Sequence, residues 1–319
     1  MVQNEAYFES HDGTKLYLYR WSPETESPPK AVLHIIHGMA EHALRYKRLA
    51  ERLTSEGIEV WAADQRGHGK TANPDVNGPD KGGLLGHCAD GNSSARVTAD
   101  IRSICDHIKK IRKSPLFLMG HSWGSFIAQN YIEYFNPDEL KLGGCILSGT
   151  KGPGDFMVKA GVPVMSLLSA IKGQRKGSRA AKAMTDGAYT KIYKPSRTPF
   201  DWLSRDEQEV DKYADDPLCG FLCSTGFYRE LAKLLYNIHR NDAMARIDRS
   251  LPVYVFSGNA DPVGNMGKSA TDLVDAYRNI GITDCEFVLY PGARHETLNE
   301  TNREEVTDNL LAWINKHCE

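Results

Sequence analysis

At 319 residues, with a hydrophobic share of 41% and a charged share of 25%, the chain has the composition of a folded globular protein. A disordered, collagen-like or coiled-coil chain is excluded. Its 39 Lys and Arg against 41 Asp and Glu leave a formal charge of −2, without the cationic surplus that a nucleic-acid partner requires. No run approaches the ~18 uninterrupted apolar residues of a membrane-spanning helix. The opening MVQNEAYFES lacks the basic and apolar regions of a signal peptide, so a cytoplasmic location is expected. Seven cysteines are scattered between Cys88 and Cys318, and only Cys219 and Cys223 lie close together. With no second pair or neighbouring histidine to complete a zinc site, they read as small buried hydrophobes in a reducing compartment.

Strand-like runs occur at 5–10, 16–21, 31–37, 58–64, 115–121, 143–149, 252–258 and 284–290. From the third onward they are short and continuously apolar, as expected for strands buried on both faces of a mainly parallel sheet. Amphipathic helices are predicted between them. Tyr46, Leu49 and Leu53 form one apolar stripe, ended by Gly57, a residue suited to a left-handed cap. Val97, Ile101, Ile104, Ile108 and Ile111 form a second, spaced alternately by four and three. Leu273, Tyr277 and Ile280 precede Gly281, and Val306, Leu310, Trp313 and Ile314 follow a Thr301-x-x-Glu304 capping box. Alternating strands and helices predict an α/β layered core.

The alternation stops over 151–250, where no strand is predicted. Residues 151–200 hold ten Lys or Arg against Asp155 and Asp186, whereas 201–216 hold seven acids against Arg205 and Lys212. The expected organisation is a core of 1–150 and 251–319 with a mainly helical cap at 151–250, its last part rejoining the core.

Gly120-His121-Ser122-Trp123-Gly124 follows the apolar run Leu116–Met119 and precedes a helical stretch with Phe126, Ile127, Ala128, Tyr131 and Ile132. A serine on such a sharp strand-to-helix turn stands above the sheet, and the flanking glycines allow neighbouring backbones to approach. The helix N-terminus behind Ser122 favours developing negative charge. A serine hydroxyl is too weakly acidic to attack an ester alone, so a base and an orienting acid are required. Asp261 follows the seventh strand in Ser257-Gly258-Asn259-Ala260-Asp261-Pro262, and His295 follows the eighth in Pro291-Gly292-Ala293-Arg294-His295-Glu296. Both fall beyond the C-terminal ends of strands, where open α/β sheets place their sites. The order Ser122, Asp261, His295 is that of the α/β-hydrolase triad. Asp64, Asp272, Asp275 and His317 are weaker candidates: Asp64 precedes the serine, and the others sit on amphipathic helices. The oxyanion donors are expected to be the amides of Trp123 and of Met39, in His34-Ile35-Ile36-His37-Gly38-Met39. Histidines 34, 37 and 42 are not read as metal ligands, because the serine-hydrolase context explains the loop and no carboxylate completes a ligand set.

These segments, together with His37-Gly38-Met39-Ala40-Glu41-His42, Arg45-Tyr46 and Asp64-Gln65-Arg66-Gly67-His68-Gly69, resemble the monoacylglycerol lipase and lysophospholipase-like branch of the α/β-hydrolase superfamily. The resemblance spans about 5–150 and 225–317. It implies an eight-stranded, mostly parallel sheet flanked by helices, with a cap inserted after the sixth strand. It also implies ester substrates of glycerol, lysophospholipid or simpler alcohol type, and no cofactor. Met39 stands where family members often carry a smaller residue.

The cap begins with the largely apolar 156–171, followed by the basic Lys172-Gly173-Gln174-Arg175-Lys176-Gly177-Ser178-Arg179. That pairing has the chemistry to line an acyl tunnel and to rest transiently on an anionic membrane surface. Trp202, Phe221, Phe227 and Tyr228 are candidate pocket residues. The function expected is a serine carboxylester hydrolase acting on a small-molecule acyl ester. A proline iminopeptidase or amidase and an acyl-thioesterase would share the triad, and a non-catalytic binding module is the reading from another class. Serine at the elbow excludes epoxide hydrolase and dehalogenase chemistry, which use an aspartate there.

Overall fold

In the computed structural model the described residues are 1–318 without Glu26, Asn136 and Asp155. At 156–158, which open the apolar stretch of the cap, only the backbone is described. All eight expected strands form: β1 Val2–Glu9, β2 Lys15–Ser22, β3 Ala31–Ile36, β4 Ile58–Ala63, β5 Leu116–His121, β6 Gly144–Ser148, β7 Val253–Gly258 and β8 Cys285–Tyr290. They make one sheet in the order β1-β2-β4-β3-β5-β6-β7-β8, antiparallel for the pairs β1–β2 and β2–β4 and parallel from there on.

Period-two alternation sorts the apolar side chains of each central strand to opposite faces. On β3, Val32 and Ile36 join a core with Val97, Ile101, Ile104, Leu118 and Ile127, beneath helices α2 (Ser93–Ile111) and α3 (Trp123–Tyr134). Leu33 and Ile35 face the opposite way, into a core with Leu49, Leu53, Met119, Leu310 and Trp313. Helices α1 (Lys47–Ser55) and α11 (Arg303–Lys316) cover that side. Burial on both sides is why β3 to β7 read as continuous apolar runs.

Two local expectations need correction. Ile111 ends the apolar stripe of α2 but is 43% exposed, because the helix stops there and Arg112 turns extended. The capping box at Thr301 does not form: α11 begins at Arg303, and the Thr301 N–H donates to the Glu300 carboxylate instead. Gly57 and Gly281 adopt the expected left-handed conformation, at φ +83° and +98°.

Between β6 and β7 the described residues form α4 (Phe156–Lys172), α5 (Arg179–Met184), α6 (Asp186–Ile192), α7 (Glu207–Asp215), α8 (Thr225–Ile238) and α9 (Asn241–Met244). They contain no strand beyond an isolated bridge between Gly177 and Ser224. Helix α4 packs on α8, and α8 packs on α3, so the segment is anchored to the helix that follows Ser122. Among the described residues no helix is long and apolar enough to cross a membrane. All seven cysteines are free thiols, and only Cys318 is not buried.

Candidate active site

Ser122 sits between β5 and α3 with φ +52° and ψ −122°, a backbone conformation rarely tolerated outside glycine and one that costs on the order of 1–3 kcal/mol. The fold holds it there by specific close approaches. A Cβ on Gly124 would lie 2.2 Å from the Ile36 carbonyl oxygen, and one on Gly120 would lie 2.3 Å from that of Gly124. Only glycine at both positions lets β5, α3 and the end of β3 meet. The Ser122 N–H donates to the Ser148 carbonyl at 2.9 Å, and Ser125 Oγ donates to the Ser122 carbonyl at 2.6 Å.

The Asp261 carboxylate accepts from His295 Nδ1 at 3.0 Å, and both side chains are buried. A carboxylate can only accept, so Nδ1 carries the proton and Nε2 presents its lone pair. Asp261 is held in turn by the Val263 N–H at 2.9 Å. Burial alone would lower the His295 pKa, but the Asp261 charge and hydrogen bond outweigh it and leave the imidazole above its ordinary value. The His295 ring lies between His121, at 4.9 Å between centroids, and Trp202, at 5.2 Å. The structure thus joins Asp261 to His295 and brings His295 against the neighbour of Ser122. A hydrogen bond from Ser122 Oγ is not among the contacts of the described residues; such bonds often close only when substrate is bound.

The loop after β3 also meets the elbow, since a Cβ on Gly38 would lie 3.2 Å from Ser122 Cβ. His37 fixes this loop: its Nδ1 donates to the Gly38 carbonyl at 2.8 Å, and its Nε2 accepts from the Gln65 N–H at 2.9 Å. That bonding requires the neutral ring, and burial lowers the His37 pKa to about 3. Burial has the same effect on His34 and His68, both to about 3, and on His121, to about 4. Asp64 is structural here, accepting from the Ala43 and Lys70 N–H groups at 2.8 and 2.7 Å. Asp272 pairs with Lys268 on α10 (Lys268–Asn279), and His317 pairs with Asp284, both remote from Ser122.

Ser122, Met39 and Trp123 open onto a cavity of about 220 Å³ whose other walls include Phe126, Met165, Trp202, Tyr228 and Leu235. Of the four aromatic residues predicted for the pocket, Trp202 and Tyr228 line it. Phe221 and Phe227 instead pack behind it on the His68 ring, which itself stacks on Trp123. Sequence reasoning did not anticipate how Arg45 ties the site together. Its guanidinium pairs with both Glu296 oxygens, at 2.8 and 2.7 Å, and with Glu41 at 2.5 Å, while Glu41 also accepts from the Gly38 N–H. Glu41 is only four residues from Arg45, but Glu296 is 251 away, and no local pattern signals that second pairing.

An eight-stranded α/β sheet with a strained serine elbow and an Asp–His pair beyond β7 and β8 defines an α/β-hydrolase. The chain belongs to the Hydrolase_4 family, described as serine aminopeptidase, S33, which matches residues 27–302. Within it the chain is a monoacylglycerol lipase-like enzyme. It is 27% identical to a monoacylglycerol lipase of Mycolicibacterium smegmatis over 99% of this chain and 98% of that protein. It is 26% identical to the monoglyceride lipase of Homo sapiens over 98% of this chain and 89% of the human protein. Among solved structures it is similar to a thermostable carboxyl esterase from Bacillus coagulans in complex with glycerol, with a TM-score of 0.88, 26% identity and full coverage of both chains.

Proposed function

We propose that this enzyme is a serine carboxylester hydrolase of monoacylglycerol or medium-chain acyl esters, with Ser122, His295 and Asp261 as its triad and the Met39 and Trp123 amides as oxyanion donors. The observation that carries this reading is a largely apolar cavity opening at Ser122, with His295 held by Asp261 beside it. Ser122 Oγ attacks the ester carbonyl while His295 Nε2 takes its proton. The imidazolium, stabilised by Asp261, returns that proton to the leaving alcohol, and water clears the acyl-enzyme by the same route. Among the described residues neither the Met39 nor the Trp123 N–H is spent on another acceptor, which leaves both for the oxyanion.

The cavity exceeds the ~150 Å³ that admits benzene in an apolar core, consistent with an acyl chain of several carbons. In this reading 151–250 act as the cap over a core of 1–150 and 251–319. The iminopeptidase alternative needs an unpaired acid facing the substrate amine. Asp186 is the acid lining the cavity, and Lys182 neutralises it at 2.5 Å. In the acidic segment, Asp206, Glu209, Asp211 and Asp216 are each paired, with Arg303, Arg48, Arg197 and His42. An ester leaving group fits these walls better than an amine. Hydrolysis of p-nitrophenyl esters from short to long chains, alongside 1-monoacylglycerol, a thioester and a proline anilide, tests the reading. Turnover of the oxyesters, lost in Ser122→Ala, supports it; turnover confined to the thioester or the anilide rejects it.

The cap also supports the membrane reading. Leu167 and Ile171 of α4 are 62% and 74% exposed, on the same helix face as the exposed Val164. Exposed Met184 and Ile192 follow on α5 and α6, with Arg175 and Lys176 between these elements and α4. Partition of this face into an anionic bilayer would present acyl substrate at the cavity, whose wall includes Met184. Co-sedimentation with anionic vesicles at low salt is expected, and its absence would sink the membrane contact while leaving the hydrolase reading intact.

A further inference from the structure

Beside the oxyanion loop the fold assembles a set of metal-ligating side chains that no single stretch of the chain contains. His42 Nε2 lies 2.9 Å from Asp216 Oδ2, and the Cys219 thiol joins them, with all three ligand atoms within 4.8 Å of one another. His42 and Cys219 are buried, and Asp216 keeps a partial opening to solvent. In the sequence no ligand set around His42 is complete; the carboxylate and thiol that meet it arrive from 174 and 177 residues downstream.

Imidazole, thiolate and carboxylate are ligand types of a tetrahedral zinc site, at about 2.0–2.3 Å from the ion. Ligand atoms this close need only small side-chain adjustments to reach that geometry. Thiolate is the ligating form of cysteine, so a metal displaces the thiol proton as it binds.

We propose that His42, Asp216 and Cys219 form a binding site for one thiophilic divalent cation of the zinc and cadmium class. Binding exchanges the Cys219 S–H bond for a sulfur–metal bond and releases that proton. The His42 proton moves from Nε2 to Nδ1, Asp216 and water supply oxygen ligands, and no group is oxidised or reduced. The ion joins the cap to the oxyanion loop at a point where they already touch. Gly220 N–H and Tyr213 Oη both donate to the Ala40 carbonyl at 2.8 Å, one residue beyond Met39. The site therefore offers metal control of how the cap sits on that loop, independently of which ester is cleaved.

The test is titration of the reduced full-length protein with cadmium, read by the ultraviolet thiolate-to-cadmium charge-transfer band, with zinc as competitor. Among the described residues the other His and carboxylate clusters, His11–Asp12–Asp100 and Asp284–Glu286–His317, contain no cysteine, and Cys219→Ser separates a band at this site from one at the half-exposed Cys318. One equivalent is expected to saturate the band and release one proton, with a concentration-dependent rise in Tm. Cys219→Ser is expected to abolish the band, and Asp216→Asn to weaken cadmium binding by about tenfold or more. A wild-type protein without a saturable band, a band retained in Cys219→Ser, or unchanged affinity in Asp216→Asn overturns the assignment.

Discussion

Arg45 forms a bidentate ion pair with Glu296, the residue that follows His295, and the same guanidinium holds Glu41, whose carboxylate accepts the Gly38 N–H of the loop after β3. One cation thus spans the two loops on which the proposed mechanism depends. Both carboxylates are buried, and Arg45 is only slightly exposed. Burial by itself would raise both carboxyl pKa values, but the guanidinium between them holds both below the usual carboxylate range. Arg45 also lies over the Tyr213 ring at 4.8 Å, so the 201–216 segment packs against the pair.

Arg45→Met leaves two buried carboxylates without their partner. A loss of about 3–5 kcal/mol of stability is expected in chemical denaturation. A fall in kcat that exceeds the change in KM is expected alongside it, because both loops lose their shared anchor. Unchanged kcat in the folded variant would separate this network from catalysis.

The His295 shift sets a pH signature. As the proposed base, His295 must be neutral to accept the serine proton, and Asp261 holds its pKa above the ordinary 6.5. The acid limb of kcat/KM should therefore fall above pH 6.5 in the wild type. Asp261→Asn removes the charge that raises the pKa, so any residual activity should carry its acid limb to lower pH. Its kcat should drop on the order of 10⁴-fold. A pH–rate profile of both proteins checks each expectation.

Glu133 offers a test of stability away from the site. It lies buried on α3 with one oxygen unpartnered, and burial raises its pKa from 4.5 to about 9. Between these values the folded state binds a proton that the unfolded state has released, so stability falls as pH rises across that window. Glu133→Gln removes the titration. The variant should gain Tm over the wild type, by a margin that widens from pH 4.5 towards pH 9.

Gly124→Ala tests the elbow. Its added Cβ would stand 2.2 Å from the Ile36 carbonyl, a backbone atom at the end of a central strand that cannot move aside cheaply. Expected is a protein that is either recovered insoluble or folded with esterase activity reduced by more than an order of magnitude. Thermal unfolding together with ester hydrolysis reads both.

Much of this architecture is legible in the sequence because the signals are local. The strands from β3 onward stand out as apolar runs, Gly57 and Gly281 mark helix ends, and Ser122, Asp261 and His295 each follow a recognisable strand. What stays hidden is made by residues distant in the chain. Arg45 gives no hint that Glu296 will meet it, nor His42 that Asp216 and Cys219 will. Phe227 and Tyr228 are adjacent on α8, yet only Tyr228 faces the cavity, while Phe227 packs on His68 and Trp123. Sequence periodicity places both on one helix but cannot say which neighbour each turns toward. Thr301 does not cap α11 because the helix begins at Arg303, which puts Asn302 at the cap position.

The central claim is that Ser122 is the nucleophile, and active-site labelling with a fluorophosphonate followed by peptide mapping tests it most directly. The account predicts one phosphonyl adduct per chain, on Ser122, lost in Ser122→Ala and formed far more slowly in Asp261→Asn. An adduct on another residue, or an ester-hydrolysing protein whose Ser122 stays unmodified, would contradict it.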